Sequence, residues 1–317
     1  MAACRGTRTK LERINLKVLV TGGAGFIGSH SVEALLAANA QVTVFDNFSN
    51  GKRENLTAHP ALRVIEGDIR DGMALNQAMQ GATHVLHLAA QVSVQASVAD
   101  PLNSCHNNVA GFVQMLEAAR AQGVKRVVYA SSAAVYGIPR TVPLSENSPA
   151  GPISPYGLEK LINDQYAALY AALHDMSSLG LRYFNVYGPR QDPASPYAGV
   201  ISKWAAALIG DLPVRIFGDG EQTRDFIYVK DIARMNLLAL QHDAAGICNV
   251  GTGLSITLLQ LLDTLEEAAG RKATRRFEAP VSGDIRESEM RPQYLHEILG
   301  AQQTTPLLTG LRALLGQ

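Results

Sequence analysis

Short runs of consecutive apolar residues alternate with segments whose apolar positions recur every three or four residues, and this rhythm fills the first half of the chain. Lys17–Thr21 (KVLVT) reads as a buried strand, and Phe26–Ala38 as a helix with Ile27, Val32, Leu35 and Leu36 on its apolar side. Gln41–Asp46 (QVTVFD) reads as a second strand, with further strands at Arg63–Glu66, His84–Leu88, Arg126–Ser131 and Ser178–Arg182. Helical patterns lie between them near 72–80, 103–122 and 155–174. Strand–helix alternation with near-continuous apolar strands predicts an α/β fold, a doubly wound parallel sheet covered on both faces.

After about residue 185 the rhythm breaks up. Gly188-Pro189, Pro193, Pro196, Gly210, Pro213, Gly218 and Gly220 punctuate the chain, and helical patterns return only at Val229–Leu240 and Leu258–Ala269. The expected organisation is a loose basic tail over 1–15, carrying Arg5, Arg8, Lys10 and Arg13, then a sheet-forming domain over 16–185. A segment near 226–250 returns to that sheet, and 186–317 otherwise forms a smaller mixed α/β lobe.

Composition narrows the function more by exclusion than by indication. In 317 residues, 28 Lys+Arg balance 28 Asp+Glu, and there is no basic block inside the domain, which argues against nucleic acid as a partner. No run of about 18 apolar residues exists to cross a membrane, and no apolar stretch follows the basic tail to make it a secretory signal. Cys4, Cys105 and Cys248 are scattered, with no metal-ligand spacing, so neither a disulfide framework nor a zinc site is expected and a cytoplasmic setting fits. His84 and His87 are three apart, but on a strand such positions face opposite ways, so no metal site is expected there.

Thr21-Gly22-Gly23-Ala24-Gly25-Phe26-Ile27-Gly28 joins the first strand to the first helix. Glycines at 22, 25 and 28 permit a tight turn, close approach of a pyrophosphate to the backbone, and close helix–strand packing. Asp46 ends the next strand, where a carboxylate accepts both adenosine ribose hydroxyls and repels a 2′-phosphate. Asn47-Phe48-Ser49-Asn50 follows with no Arg, so NAD is expected rather than NADP. Gly67-Asp68-Ile69 suits an adenine pocket.

Tyr156 and Lys160 lie in Ser154-Pro155-Tyr156-Gly157-Leu158-Glu159-Lys160, at the start of a helix, where i and i+4 share a face. A phenol is a poor base at neutral pH. The neighbouring ammonium and the positive nicotinamide ring are expected to lower its pKa. Ser131-Ser132 ends a strand at the carboxyl edge of the sheet, so Ser132 supplies a hydroxyl to complete a Ser–Tyr–Lys set.

With these in place the sequence resembles the extended short-chain dehydrogenase/reductase superfamily over nearly the whole chain. The resemblance is carried by the GGAGFIG turn, His87-Leu88-Ala89-Ala90, Asn107-Asn108-Val109, the SSAAVYG strand end, Tyr156/Lys160, Arg182 to Pro189 (RYFNVYGP), and Gly218-Asp219-Gly220 with Thr223-Arg224-Asp225-Phe226. Asp46 to Gly51 (DNFSNG) and Arg190-Gln191-Asp192-Pro193 look most like nucleotide-sugar 4-epimerases. The resemblance implies a Rossmann-like sheet with a C-terminal substrate lobe, tightly held NAD and a UDP-hexose substrate. It implies cofactor contacts from Gly22, Gly25, Phe26, Ile27 and Gly28; from Asp46, Asn47, Ser49, Asn50, Gly51, Asp68 and Ile69; and from Leu88, Ala89, Ala90, Asn108, Ser131, Tyr156, Lys160 and Tyr183. Asn185 and Arg224 would meet the substrate diphosphate and Asp284 the UDP ribose. Val200, Val214 and Ile216 would line the substrate, Ser93 would face the sugar, and Arg286 would replace an Arg that many relatives carry where Val281 stands here. Helices near 103–122 and 155–174 form a dimer bundle in relatives, and Ala118, Ala119, Ala167, Ala168, Ala171 and Ala172 would permit close packing, so a homodimer is expected.

Chemistry selects the branch. Related 4,6-dehydratases place Asp-Glu after the catalytic hydroxyl, and decarboxylases a Glu; here Ser132 is followed by Ala133 and Ala134, which supply neither acid nor base. Epimerisation at C4 is therefore expected. By resemblance Ser288 gates the sugar pocket, and a small residue there leaves room for a 2-N-acetyl group. UDP-GlcNAc and UDP-GalNAc are the favoured pair, with UDP-Glc and UDP-Gal also turned over. The alternatives are a strict UDP-glucose 4-epimerase, an epimerase of a C6-carboxylated sugar, and a non-catalytic NAD-sensing protein.

Overall fold

The computed structural model describes residues 16–193, 199–281, 283–300 and 303–317, so the basic tail with Cys4, and Pro196, lie outside the described residues. The chain opens with β1 (Lys17–Thr21), α1 (Phe26–Ala37), β2 (Gln41–Asp46), β3 (Leu62–Glu66), α2 (Gly72–Ala78) and β4 (His84–His87). Helices α3 (Val94–Ala99), α4 (Pro101–Cys105) and α5 (Gly111–Ala121) follow, the last two joined by a π-helical turn, His106–Ala110. Next come β5 (Arg126–Ser132), α6 (Pro155–His174), β6 (Ser178–Tyr183) and β7 (Asn185–Tyr187). The remainder is α7 (Val200–Ile209), β8 (Val214–Phe217), β9 (Thr223–Tyr228), α8 (Val229–Gln241), β10 (Gly246–Val250), β11 (Ser255–Thr257), α9 (Leu258–Ala269), β12 (Arg275–Glu278), α10 (Gln293–Leu299) and α11 (Leu307–Leu314).

Seven strands form one sheet in the order β10-β6-β5-β4-β1-β2-β3, every pairing parallel. The Rossmann-like sheet expected from the sequence is therefore present. Side chains alternate across a strand, and this divides the core in two. Val18, Val20, Val42, Val44, Leu86 and Val128 pack with Val32 and Leu35 of α1 and Ile232, Met235 and Leu240 of α8. Leu19, Phe45, Val85, Val127 and Tyr129 face the other way, onto Leu75 of α2, Phe112, Met115 and Leu116 of α5, and Ala167 and Tyr170 of α6. Each fully buried aliphatic or Phe side chain contributes about 1.5–3 kcal/mol. Ala118, Ala119 and Ala167 are spent on this intrasubunit packing, with exposures of 5%, 0% and 2%. They therefore cannot line a subunit interface.

The sheet order reverses between β1 and β4. That switch point opens a crevice at the carboxyl ends of the strands, where ligands bind in such folds. Helix α8 and strand β10 come from beyond residue 185, α8 packing against α1 and β10 pairing with β6. A third core gathers Trp204, Leu208, Val214, Ile216, Phe226, Leu261, Leu265 and Leu311, with small sheets β11-β9-β7 and β12-β8 at its sides. The loop after β7 is tied back over the first lobe: Pro189 O meets His30 Nε2 at 3.0 Å, Arg190 pairs with Glu33, and Asp192 lies 3.4 Å from Lys52.

Candidate active site

The glycine turn has the shape its sequence requires. Gly22 has φ +69°, and a Cβ there would sit 2.7 Å from Ala89 N, while a Cβ on Gly28 would fall 2.1 Å from Gly22 O. Helix α1 starts at Phe26 with Gly25 as its N-cap and no side chain capping it, so its first amides are left to an anion. The residues present thus fit a dinucleotide pyrophosphate. Asp46 is fixed beside the turn, accepting from Ala24 N at 2.9 Å and Phe48 N at 2.8 Å. Each carboxylate oxygen keeps a further lone pair for a ribose hydroxyl. Around it, Asn47 donates to Asp68 at 3.0 Å and accepts from Ser49 N at 3.0 Å, and Gly51 packs on Ala24. The Arg70 guanidinium beside Asp68 holds its carboxyl well below the usual carboxylate range. Ile69 is core, 6% exposed. On the far side of the switch point, Leu88 N and Ala89 N donate to Thr21 O and Oγ1, so Leu88 and Ala89 lie directly against the turn and Ala90 follows them.

The catalytic candidates meet at the end of β5. Helix α6 starts where expected because Ser154 Oγ accepts from Gly157 N at 3.1 Å and Pro155 takes the first turn. Tyr156 and Lys160 share its inner face, with Lys160 Nζ 5.8 Å from the Tyr156 ring centroid and donating to Ala130 O at 2.8 Å. Tyr156 N is held by Ser97 Oγ at 3.1 Å. Ser132 accepts from Ala134 N at 3.1 Å, and buried Ser131 precedes it. In the protein alone, burial raises the Tyr156 phenol, and the Ser132 hydroxyl opposes only part of this. Burial also brings the Lys160 ammonium down to about 8, with Asp164 and then Glu159 pulling the other way. Asp164 in turn is held by Arg182 at 3.0 Å and by the Tyr129 hydroxyl at 3.1 Å.

Asn108 sits in the π turn, 2% exposed, and its amide is fully used: Nδ2 donates to Gln91 O at 2.8 Å and Glu159 Oε2 at 2.6 Å, and Oδ1 accepts from Gln91 N at 2.8 Å. Sequence reasoning missed Glu159, a carboxylate only 4% exposed between the two catalytic candidates of α6. The available signal was a charge on the turn of α6 that packs inward. Ser93 is 3% exposed, and its hydroxyl oxygen caps α3 by accepting from Ala96 N at 2.9 Å. Tyr183 donates its hydroxyl to Asn236 of α8 at 2.7 Å.

The substrate candidates divide. Arg224 donates to Ile285 O at 2.6 Å and Asp284 at 2.5 Å, so these two expected contacts come together as an ion pair. Asn185 donates to Asp225 O at 3.1 Å. Arg286 is exposed and pairs with Asp219 at 2.7 Å, while its backbone carbonyl accepts from Thr223 N at 2.9 Å. Val214 and Ile216 are corrected: both are 0% exposed and belong to the third core. Strand alternation instead puts Arg215 and Phe217 on the open face of β8. Val200 begins α7, partly buried, and Ser288 is partly buried just before Met290, which bridges to Leu144. Ser282 lies outside the described residues. His84 and His87 bond separately to Thr83 and Thr21, and burial takes the His87 imidazole down to about 3. Among the described residues, no three metal-ligating side chains come together. No helix among them is long and apolar enough to cross a membrane.

A model of the family described as NAD dependent epimerase/dehydratase matches residues 18–251. The UDP-glucose 4-epimerase of Mycolicibacterium smegmatis is 38% identical over 304 residues, 93% of this chain and 96% of that protein. Among solved structures, UDP-N-acetylglucosamine 4-epimerase from Methanobrevibacter ruminantium M1, in complex with UDP-N-acetylmuramic acid, aligns with a TM-score of 0.92 at 37% identity, covering 95% of this chain and 97% of that one. The UDP-glucose 4-epimerase of Thermus thermophilus, in complex with NAD, aligns with a TM-score of 0.88 at 38% identity over 95% of this chain and 98% of that one.

Proposed function

The chain belongs to the NAD dependent epimerase/dehydratase family and is a UDP-sugar 4-epimerase that uses NAD; within that activity we propose that UDP-GlcNAc and UDP-GalNAc are its favoured pair, with UDP-Glc and UDP-Gal also interconverted. The observation behind the reaction type is the bare end of β5. Ser132, Tyr156 and Lys160 gather there, while Ala133 and Ala134 bring no second acid or base.

When bound, NAD supplies the hydride acceptor and, in the return step, the hydride donor. Its pyrophosphate is assigned to the α1 amides, its adenosine ribose to Asp46 and its nicotinamide ribose to Lys160. Tyr156 takes the proton of the sugar 4-hydroxyl as C4 is oxidised, and returns it to O4 after the 4-keto sugar has turned to present its other face, so that C4 is inverted. Ser132 hydrogen-bonds that oxygen, and the Lys160 ammonium opposes the burial that raises the phenol. Arg224 and Asn185 hold the diphosphate, for which Arg224 must exchange part of its pairing with Asp284. Residues 16–185, with 226–250, serve the cofactor, and 186–317 otherwise the substrate. The cytoplasm is the compartment this reading assigns.

The preference among sugars rests on Ser288, whose small side chain leaves space beside C2. Incubation with UDP-GlcNAc and UDP-Glc separately, followed by proton NMR, is expected to give the C4 epimer of both, faster for the acetylated sugar. Ser288→Tyr is expected to slow the acetylated substrate at least tenfold more than UDP-Glc. Equal losses on the two sugars would overturn the gating role, and no epimer from either would overturn the proposed substrates.

A further inference from the structure

The carboxylate of Glu159 exchanges no proton in the mechanism above and acts there only as a charge near Lys160, yet it is 4% exposed in the middle of the catalytic turn of α6. Among the described residues no cation lies within ion-pair distance of it. Burying a carboxylate is costly unless its lone pairs are used. Here a single oxygen, Oε2, accepts from Ser104 Oγ at 2.8 Å and from Asn108 Nδ2 at 2.6 Å. Asn108 then grips Gln91 by both its N–H and its C=O. Gln91 ends the stretch that leaves β4 through Leu88, Ala89 and Ala90, and its own side chain accepts from Ser93 N at 2.6 Å and donates to Ser93 O at 3.1 Å. The extra residue of the π turn presents Asn108 inward to make these bonds; such turns recur at functional sites.

We infer that Glu159 is a positioning residue for the cofactor: through Asn108 it fixes the 88–93 loop against the catalytic helix, and so sets how long NAD is held. An Asn108 without this acceptor has one amide hydrogen unpaired and is free to rotate, and each rotation releases Gln91. The carboxylate therefore acts on the cofactor through two intervening residues rather than by touching it. This inference rests on the reading of the 88–93 loop as part of the NAD site, and it is independent of which sugar is turned over.

The test needs no substrate. The full-length protein purified with its NAD is passed into cofactor-free buffer, the NAD retained is measured against time, and hydrogen exchange is followed at the Gln91 amide. Glu159→Met fills the same volume without an acceptor; it is expected to release NAD about tenfold faster or more and to speed exchange at Gln91. Glu159→Gln keeps an oxygen able to accept both bonds and is expected to restore both readouts to near those of the unmodified protein. A general loosening of α6 would not be rescued in this way. Release from Glu159→Met at the original rate, or failure of Glu159→Gln to restore retention, overturns the inference. If Glu159→Met does not fold, Ser104→Ala removes one donor to the same oxygen and is expected to shift both readouts in the same direction by a few-fold. Unchanged exchange at Gln91 in that variant overturns it too.

Discussion

Lys160 carries the most direct consequence at the scale of single residues. Its ammonium is brought down to about 8 by burial, so it is charged at neutral pH and loses its proton as pH rises through that value. The charged form is the one that favours a phenolate at Tyr156. Epimerase activity is therefore expected to fall on the alkaline side with a midpoint near pH 8, a pH–rate profile being the check. Replacing Asp164 by Asn removes the larger of the two carboxylate influences on Lys160 and is expected to move that midpoint to lower pH. The sequence made Tyr156, Lys160 and Ser132 legible because their spacing follows from helix and strand geometry. It could not show how deeply Tyr156 is buried, a burial that raises its phenol in the protein alone, because burial at the end of β5 depends on how α3, α4 and α6 close over it. For the same reason the sequence did not show that the Ser93 hydroxyl oxygen caps α3.

At the scale of elements, local signals held wherever they were strong. Helix α6 runs over the expected residues because its start is written in Ser154 and Pro155 and its end at Asp175, a left-handed residue with φ +52°. Ser154→Ala is expected to cost about 1 kcal/mol of stability, read as a lowered denaturation midpoint, since the cap satisfies an amide at the helix start. The periodicity near 103–122 gave one helix, whereas the chain forms α4, a π turn and α5 in sequence. A single inserted residue leaves the apolar rhythm almost unchanged, so periodicity does not register it. Beyond residue 185 the strands β7, β8, β9, β11 and β12 run three to six residues and α7 lies after a Gly- and Pro-rich stretch, too short or too interrupted for a pattern to emerge. Val214 and Ile216 were misplaced there because which face of a short strand turns inward is decided by α7 and α9, not by the strand.

At the scale of the whole molecule, α6 leaves an unpartnered apolar line: Leu158, Leu169 and Leu173 are 49%, 49% and 65% exposed, and Leu102 on α4 is 67% exposed. Together with the exposed Ala168 and Ala172, these suit pairing with a second copy of the chain. Light scattering of the purified protein is expected to give a dimer mass, and Leu169→Asp with Leu173→Asp a monomer.

Strand β10 has a consequence for how the protein is made. The sheet's penultimate strand, β6, is buried along its whole length, and among the described residues its outer edge is paired by residues 246–250. A ribosome releasing the chain from its start thus completes six strands well before the seventh exists. During that interval a long apolar edge stands open, the geometry that recruits other chains. A fragment ending near residue 185 is accordingly expected to aggregate rather than to bind NAD alone, while the full chain is expected to stay in the supernatant after centrifugation. The nascent protein would then lean on chaperones for the stretch between residues 185 and 250, and its yield in a host would track how well that one edge is shielded.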